Sequence, residues 1–362
     1  MRDLRDTLRP KHFFIGNASI DVTRLPESLD FIRSLGGSAR NASEQADLLG
    51  VPNVLIAAVG GDPDGQHILT TMEQAGRPTH GIVVMPDRNT LVYKQIDTGN
   101  EDVSIEKSAN PASDAHTLDA MLGTMPPLLT DSLVYGAGLT RKPGVIDGHY
   151  ELEDALDELR ARGATIAMDP GRAPDDTPDR LLRSQTFMSY PQNLERVDFW
   201  ALNPDEFKTY FSLTDDEQTL LKSATEQQVR ELADHHIMEK ATPALVCITL
   251  GENGLFLYAR NGDSALVGAP AVDRRLTKVG LGDSTKAGMI AAILHESQGA
   301  MSPDVLASLS ADQLQRVAAY GSAVSTHRIR TGTYGNAADV ARTIDDYAKY
   351  YQRYGITPDY LG

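Results

Sequence analysis

The chain has 362 residues, 41% of them hydrophobic and 23% charged, with a formal net charge of −16. That length and apolar content suit one large α/β domain with an appendage, or two domains, and the acidic balance argues against a nucleic-acid or anionic-membrane surface. An acidic protein that binds phosphates must concentrate positive potential locally, from backbone amides, a few Lys or Arg side chains and a metal ion.

Met1 to Lys11 is charged and has no apolar core, so no secretory signal is expected; no apolar run reaches the length of a membrane span, and a cytoplasmic location is the default expectation. His12 to Ile20 reads as a first strand, and Gly36-Gly37 precedes a helix over Ser38 to Leu49, with Ala39, Ala42, Ala46 and Leu49 at helical spacing. Asp21 after that strand and Asn41 on the helix have the donor and acceptor complement to bind paired hydroxyls of a polyol, and each alone also suits a turn or a cap. Asn53 to Val59 is a strand, followed by the turn Gly60-Gly61-Asp62-Pro63-Asp64-Gly65, in which Asp62 carries the same two readings. Leu91 to Ile96 and Val103 to Lys107 predict a hairpin around Thr98-Gly99-Asn100. The strand-rich stretches at about 17–36 and 88–110 stand apart from the alternating remainder and predict a small β-lid over the edge of a parallel sheet, covering ligands at the strands' carboxyl ends.

Leu133 to Tyr135, Thr165 to Met168, Phe199 to Leu202 and Leu245 to Thr249 are short buried-strand candidates, separated by helical patterns at about 150–162, 178–184 and 226–240. Phe256 to Tyr258 and Ala265 to Val267 predict a second hairpin turning at Asn261-Gly262, and the chain after Asp283 reads as helical over 283–296, 303–327 and 337–350. The single cysteine, Cys247, lies in an apolar run and reads as a core residue, and the nine histidines show no metal-ligand spacing.

The most informative stretch is Val279-Gly280-Leu281-Gly282-Asp283-Ser284-Thr285-Lys286-Ala287-Gly288. It reads as a glycine-rich turn opening a helix, whose unpaired N–H groups converge with the helix dipole and can cradle an anion. A carboxylate there would be repelled by a resident anion, which suggests a base held against a phosphoryl group in transit. The same run also serves as an ordinary strand-to-helix turn with Asp283 as N-cap. Asn203-Pro204-Asp205-Glu206 outlines a capping box, or alternatively a pair that holds hydrated magnesium. Thr249-Leu250-Gly251 is either a plain turn or a nucleotide contact at which Gly251 lets the backbone approach closely.

Taken together these residues resemble the ribokinase/PfkB carbohydrate kinases from about Phe13 to Val340. Gly36-Gly37-Ser38-Ala39-Arg40-Asn41-Ala42 with Leu49-Gly50 is similar to that family's N-terminal signature, and Gly280-Leu281-Gly282-Asp283 with Ala287-Gly288 to its C-terminal one. Asn203-Pro204-Asp205-Glu206 fits its Asn-x-x-Glu motif, with weaker matches at Asp169-Pro170 and Thr249-Leu250-Gly251. The resemblance implies an α/β, Rossmann-like αβα sandwich with a small β-sheet lid, a kinase domain over 12–345 and a C-terminal tail over 346–362. It implies Asp283 as catalytic base, the amides of Gly280, Leu281 and Gly282 as anion hole, Asn203 and Glu206 at Mg²⁺, Asp21, Gly37 and Asn41 at substrate hydroxyls, and a lid that often also makes a homodimer contact.

Three departures bear on substrate and donor. Thr277 stands where many members have Asp, Leu281 stands for Ala, and the Val-Gly-x-Gly-Asp-Ser-Thr form is more similar to phosphosugar members. ADP-dependent sugar kinases carry a similar run but are usually longer, so ATP is the expected donor over ADP. A phosphosugar needs a cationic pocket, for which Arg88 is the first candidate, with Arg40, Lys94 and Lys107 behind it and solvated surface charge as the plain alternative. Lys286, at a position the family often leaves apolar, reads as a contact to a nucleotide phosphate or as a solvent-facing side chain. The expected reaction is Mg²⁺- and ATP-dependent phosphorylation of a hydroxyl on a sugar or sugar phosphate. A nucleoside kinase, which a stacking aromatic such as Tyr93 would favour, and a catalytically silent regulatory or scaffold protein are the alternatives. A dinucleotide oxidoreductase ranks last, because no Gly-x-Gly-x-x-Gly follows the first strand.

Overall fold

The computed structural model describes residues 12–24, 31–96, 104–139, 149–171, 194–273, 275–277 and 279–361. In chain order the strands are β1 (His12–Ile15), β2 (Ser19–Arg24), β3 (Phe31–Gly36), β4 (Asn53–Gly60), β5 (Ile82–Met85), β6 (Leu91–Ile96), β7 (Ser104–Lys107), β8 (Leu133–Ala137), β9 (Thr165–Asp169), β10 (Phe199–Leu202), β11 (Leu245–Thr249), β12 (Leu255–Ala259) and β13 (Ser264–Val267). The longer helices are α1 (Ser38–Leu48), α2 (Pro63–Gln74), α3 (His149–Ala161), α4 (Pro204–Phe211), α5 (Glu226–Ala233), α6 (Leu281–Glu296), α7 (Ala311–Thr331) and α8 (Ala337–Asp346).

The main sheet has the order β13-β12-β11-β10-β9-β8-β1-β4-β5. From β11 to β5 every pairing is parallel, and β12 and β13 close one edge antiparallel. Parallel strands covered on both faces read as continuous apolar runs, and β1 shows how they divide: Phe14 joins one core layer with α1, α6 and α7, while Phe13 and Ile15 join the other with α3, α4 and α5. From β1 the chain winds outward to β4 and β5, then crosses to build β8 through β11 on the other side. The crevice at the carboxyl ends of β1 and β8 is therefore the switch point where such sheets bind ligands.

A second sheet, β3-β2-β6-β7, stands apart. The hairpin expected between β6 and β7 is present, and its turn lies outside the described residues. The first strand, expected as continuous from His12 to Ile20, is instead divided. Gly16 N–H makes a hydrogen bond to Ile56 O beyond the last β1 residue, and from Ser19, paired with Gly36, the chain belongs to the small sheet. An unbroken apolar run carries no mark of a change of sheet.

The hairpin at Asn261-Gly262 is as expected, with Ala259 N–H bonded to Asp263 O. The helix expected over 178–184 falls outside the described residues. The single helix expected over 303–327 is two, Pro303–Ala307 and α7, because Ser310 restarts the chain with a capping box to Gln313. The expected tail after 346 packs closely. Tyr351 and Ile356 are wholly buried in the α6–α7 layer, and Tyr360 Oη donates to Glu296 Oε1 at 2.7 Å beside the bidentate Arg316–Glu296 pair. Ile356→Ala is therefore expected to lower unfolding free energy by about 2–4 kcal/mol in urea titration; a loss under about 0.5 kcal/mol, the range of surface changes, would show the segment to be peripheral.

Candidate active site

Gly280 is the N-cap of α6, with φ 74, and a Cβ there would lie 2.7 Å from the Tyr334 hydroxyl. Both facts require glycine. The cap is therefore Gly280 and not Asp283, which stands third in the helix and makes no capping bond. Leu281, Gly282 and Asp283 fall in the first turn, where helix geometry leaves amides without intrahelical acceptors. Asp283, only 8% exposed, accepts a hydrogen bond from Asn41 Nδ2 at 3.0 Å.

Asn41 arrives from α1, whose N-cap Gly37 has φ 95 and no room for a Cβ, which would lie 2.3 Å from Asn17 O. Asp21 lies against Gly36, where a Cβ would sit 2.2 Å from the Asp21 carboxyl carbon. The two glycines thus let the Asp21 carboxylate and the start of α1 approach one another. Arg40 is buried beneath them, bonded to Glu44 at 2.5 Å, to Leu35 O at 3.3 Å and to Asn41 Oδ1 at 3.3 Å. Burial pushes the Asp21 carboxyl up to about 6 against the pull of Ser19 and Arg40.

A second buried group meets Asp283 from the end of β9. The Asp169 carboxylate forms an ion pair with the Lys286 ammonium, accepts from the Tyr135 hydroxyl at 3.3 Å and from Gly171 N–H at 2.9 Å. Lys286, 4% exposed, is therefore not solvent-facing, and its Nζ lies 4.0 Å from where a Cβ on Gly282 would be. Burial alone would lower the Lys286 pKa, but Asp169, Glu206 and Asp283 together raise it, so it stays charged. Burial pushes Asp283 up to about 6, with Asp169 and Asp21 adding to the rise and Lys286 and the Asn41 amide opposing it.

Beside this centre is a cleft of about 800 Å³ lined by the β11–β12 turn, the segment after β13, the start of α6 and the α7 face that carries Ser322, Ser325 and Thr326. Thr249 and Gly251, expected at the nucleotide, line it together with Leu281 and Gly282. Lys286, expected with them, is not in that lining and is held on Asp169. Arg275 and Glu252 stand 3.7 Å apart in the lining. Asn203 and Glu206 form the complete capping box of α4, with Glu206 N–H bonded to Asn203 Oδ1 at 2.8 Å and Asn203 N–H to Glu206 Oε2 at 2.9 Å. The box holds a carboxylate and an amide oxygen rigidly at the carboxyl end of β10. These hard oxygens fit hydrated magnesium, which keeps several waters and needs only one or two protein carboxylates.

The register of the small sheet places Ser34, Asp21, Tyr93 and Lys107 abreast on β3, β2, β6 and β7, hence on one face. Lys94 lies on the opposite face with Val22 and Arg33, its ammonium 5.5 Å from the Phe31 ring centre, which removes it from any pocket beside Asp21. Lys107 is bonded to Asp114 at 2.9 Å. Arg88 is bonded to Asn110 Oδ1 rather than to Asp21, Asn41 or Asp283. Asp62 is spent as the cap of α2 and as acceptor from Thr90 N–H at 2.7 Å. Asp169, Tyr135 and Tyr334 enter the centre without having been assigned to it from the sequence. Asp169-Pro170 at a strand end was the one available signal; Tyr334 lies in a loop with none.

A nine-stranded αβα sandwich with a small sheet beside a glycine-turned, carboxylate-bearing helix start is the ribokinase-like fold. The model of the pfkB family carbohydrate kinases matches residues 10–333, and the chain belongs to that family. Similar solved structures include a Xylella fastidiosa fructokinase with bound ATP (17% identity, 94% of this chain and 100% of that one, TM-score 0.68). A Vibrio cholerae O395 fructokinase with fructose, ADP and calcium ion matches at 15% identity over 92% and 98% with TM-score 0.69. A Giardia lamblia ribokinase matches at 14% over 93% and 98% with TM-score 0.70. No curated protein sequence matches the chain. Among the described residues, no helix is long and apolar enough to cross a membrane.

The Lys286–Asp169 pair makes a stability prediction. Lys286→Met leaves a buried, uncompensated carboxylate and is expected to cost about 3 kcal/mol, whereas Lys286→Met with Asp169→Asn should recover most of it. Equal losses in the single and double variants, read by denaturant titration, would show that the two charges do not depend on one another.

Proposed function

We propose that the protein transfers the terminal phosphoryl group of ATP to a hydroxyl of a sugar or sugar phosphate. The observation that carries this is the Asn41–Asp283 hydrogen bond, which joins the two signature segments at one point. There a carboxylate stands against the unpaired amides of a helix start.

In this reading Asp21 and Asn41, with the Gly37 backbone, hold acceptor hydroxyls in line. Asp283 takes the proton of the attacking hydroxyl. The N–H groups of Gly280, Leu281 and Gly282 hold the charge on the phosphoryl oxygens, the preorganised stabilisation on which such transfers mainly rest. The nucleotide lies in the cleft against Thr249 and Gly251, with Lys286, held on Asp169, offsetting carboxylate charge beside the helix start. Asn203 and Glu206 would hold Mg²⁺ through its waters, and the ion would neutralise charge on the donor's phosphates.

Two observations bear on the acceptor. Arg40 and Lys107 each hold a carboxylate partner, which favours an unphosphorylated sugar over a phosphosugar, while Arg88, bonded to the neutral Asn110 amide, holds no carboxylate among the described residues and stays the phosphosugar candidate. Tyr93, abreast of Asp21, puts an aromatic ring on the same face and keeps a nucleoside as the second reading.

The test is ADP formation from ATP and Mg²⁺ over free sugars, phosphosugars and nucleosides, with Asp283→Asn as blank. That variant should keep nucleotide affinity within a few-fold and lose roughly 10²–10⁴ in turnover; near-normal turnover would remove Asp283 from the role of base. With the Asp283 carboxyl near 6, kcat/KM should climb from pH 5 to 7 in the wild type. The sign for stability is opposite. A folded-state value above the usual 3.8 means the fold loses stability as pH rises from about 4 through 6. Asp283→Asn should therefore melt higher than wild type at pH 7 and no higher below pH 4; a gain of equal size at both would assign it to packing.

A further inference from the structure

Arg328, in the last turn of α7, is a half-buried guanidinium that the proposed chemistry does not use. Its Nε donates to Val279 O at 3.4 Å and its Nη1 to Gly332 O, and its Cζ lies 4.1 Å from the ring centre of Tyr334. The Tyr334 hydroxyl in turn closes over Gly280. Gln45 of α1, fully buried, fixes the loop bearing Tyr334 by donating to Gly335 O at 2.7 Å and accepting from Gly335 N–H at 3.4 Å. The Thr277 hydroxyl accepts from Val279 N–H at 3.1 Å. The Val279 residue is thus held at both its N–H and its carbonyl.

A helix-terminal arginine commonly satisfies carbonyls of its own C-terminus, which accounts for the bond to Gly332 but not for Val279 or Tyr334. The carbonyl it reaches belongs to the same peptide unit as Gly280 N–H. That unit is trans, since the described chain has no cis peptide bonds, and in a trans peptide the C=O and N–H point in opposite directions. Holding the carbonyl on Arg328 therefore aims Gly280 N–H away from Arg328. A charged donor on the carbonyl also polarises the peptide and makes its N–H a stronger donor.

We infer that Arg328 is a positioning residue for the anion hole: it binds no ligand itself but sets the direction and strength of the Gly280 N–H. This rests on the kinase reading of the Gly280–Gly282 turn, and the experiment separates the two. Arg328→Ala and Arg328→Lys are compared with wild type for kcat and KM, for affinity toward ADP alone, and for affinity toward ADP with tetrafluoroaluminate, a mimic of the phosphoryl in transit.

Removing a single preorganised donor costs about 10²–10³ in rate, and misdirecting one should cost less, so Arg328→Ala is expected to lose roughly 10–100-fold in kcat. KM values and ADP affinity should stay within about threefold, tetrafluoroaluminate affinity should fall by the same factor as kcat, and added guanidinium should restore part of it; these are the marks of transition-state-only stabilisation. Arg328→Lys, which keeps the charge but not the fork, should fall between. Wild-type kcat and tetrafluoroaluminate affinity in Arg328→Ala would overturn the inference. So would an equal loss of affinity for ADP alone, which marks a collapsed cleft. A wild-type protein that binds ADP with tetrafluoroaluminate yet phosphorylates nothing would overturn the kinase reading, and Arg328 would then be judged on the binding arm.

Discussion

Asp283 is a carboxylate placed where its ionised form is costly, and the surrounding structure is arranged about that cost. Burial drives it toward protonation and the neighbouring Asp169 and Asp21 add to the pressure, while one amide from Asn41 and one ammonium from Lys286 resist it. The balance leaves a group that is charged at neutral pH yet readily protonated, the state wanted of a general base. Holding it so requires two helices to begin at the same spot. α1 and α6 can do this because Gly37 and Gly280 have backbone conformations and contact distances closed to other residues.

The sheet supplies the remaining groups by topology. Successive parallel strands end in Asp169, in the Asn203 cap and in Thr249, so an anchor for the lysine, a pair of hard oxygens and the wall of the cleft arise side by side along the carboxyl edge of the sheet, on the β8 side of the switch point. The capping box at Asn203 uses the single amide oxygen of Asn203 and one carboxylate oxygen of Glu206 as acceptors for backbone N–H groups, and that fixes the geometry of both side chains.

Much of this was legible in the chain because it rests on backbone demands. Glycine pairs ahead of helices, buried-strand runs and the capping box each leave a local mark, which gave the alternating parallel sheet and the Gly280–Asp283 turn, while the αβα sandwich came from the family resemblance those marks carry. What was not legible depends on approach across the fold. The apolar run from His12 to Ile20 is uniform, although it serves two sheets. Lys286 could be read as solvated or as a phosphate contact because nothing near it in sequence names Asp169 as its partner. Arg88 reads as a candidate phosphate ligand, and nothing near it in sequence names Asn110 as the partner that the fold sets beside it. Tyr334 and Arg328 had no signal, since their meaning lies in the distance to a glycine that only folding brings near.

The protein's acidity and its proposed work are reconciled at this centre. A net charge of −16 opposes the approach of a polyanion, but exposed charges are screened over about 10 Å at ordinary ionic strength, whereas buried ones are screened much less. Inside the crevice the donors for an anion are local and fixed: helix-start amides and an arginine acting on one of them through a peptide bond, while the Lys286 ammonium offsets part of the charge of the carboxylates around it. Because each is immobilised before any ligand arrives, little reorganisation remains for the moment of transfer. The surface can then remain acidic without cost to the chemistry.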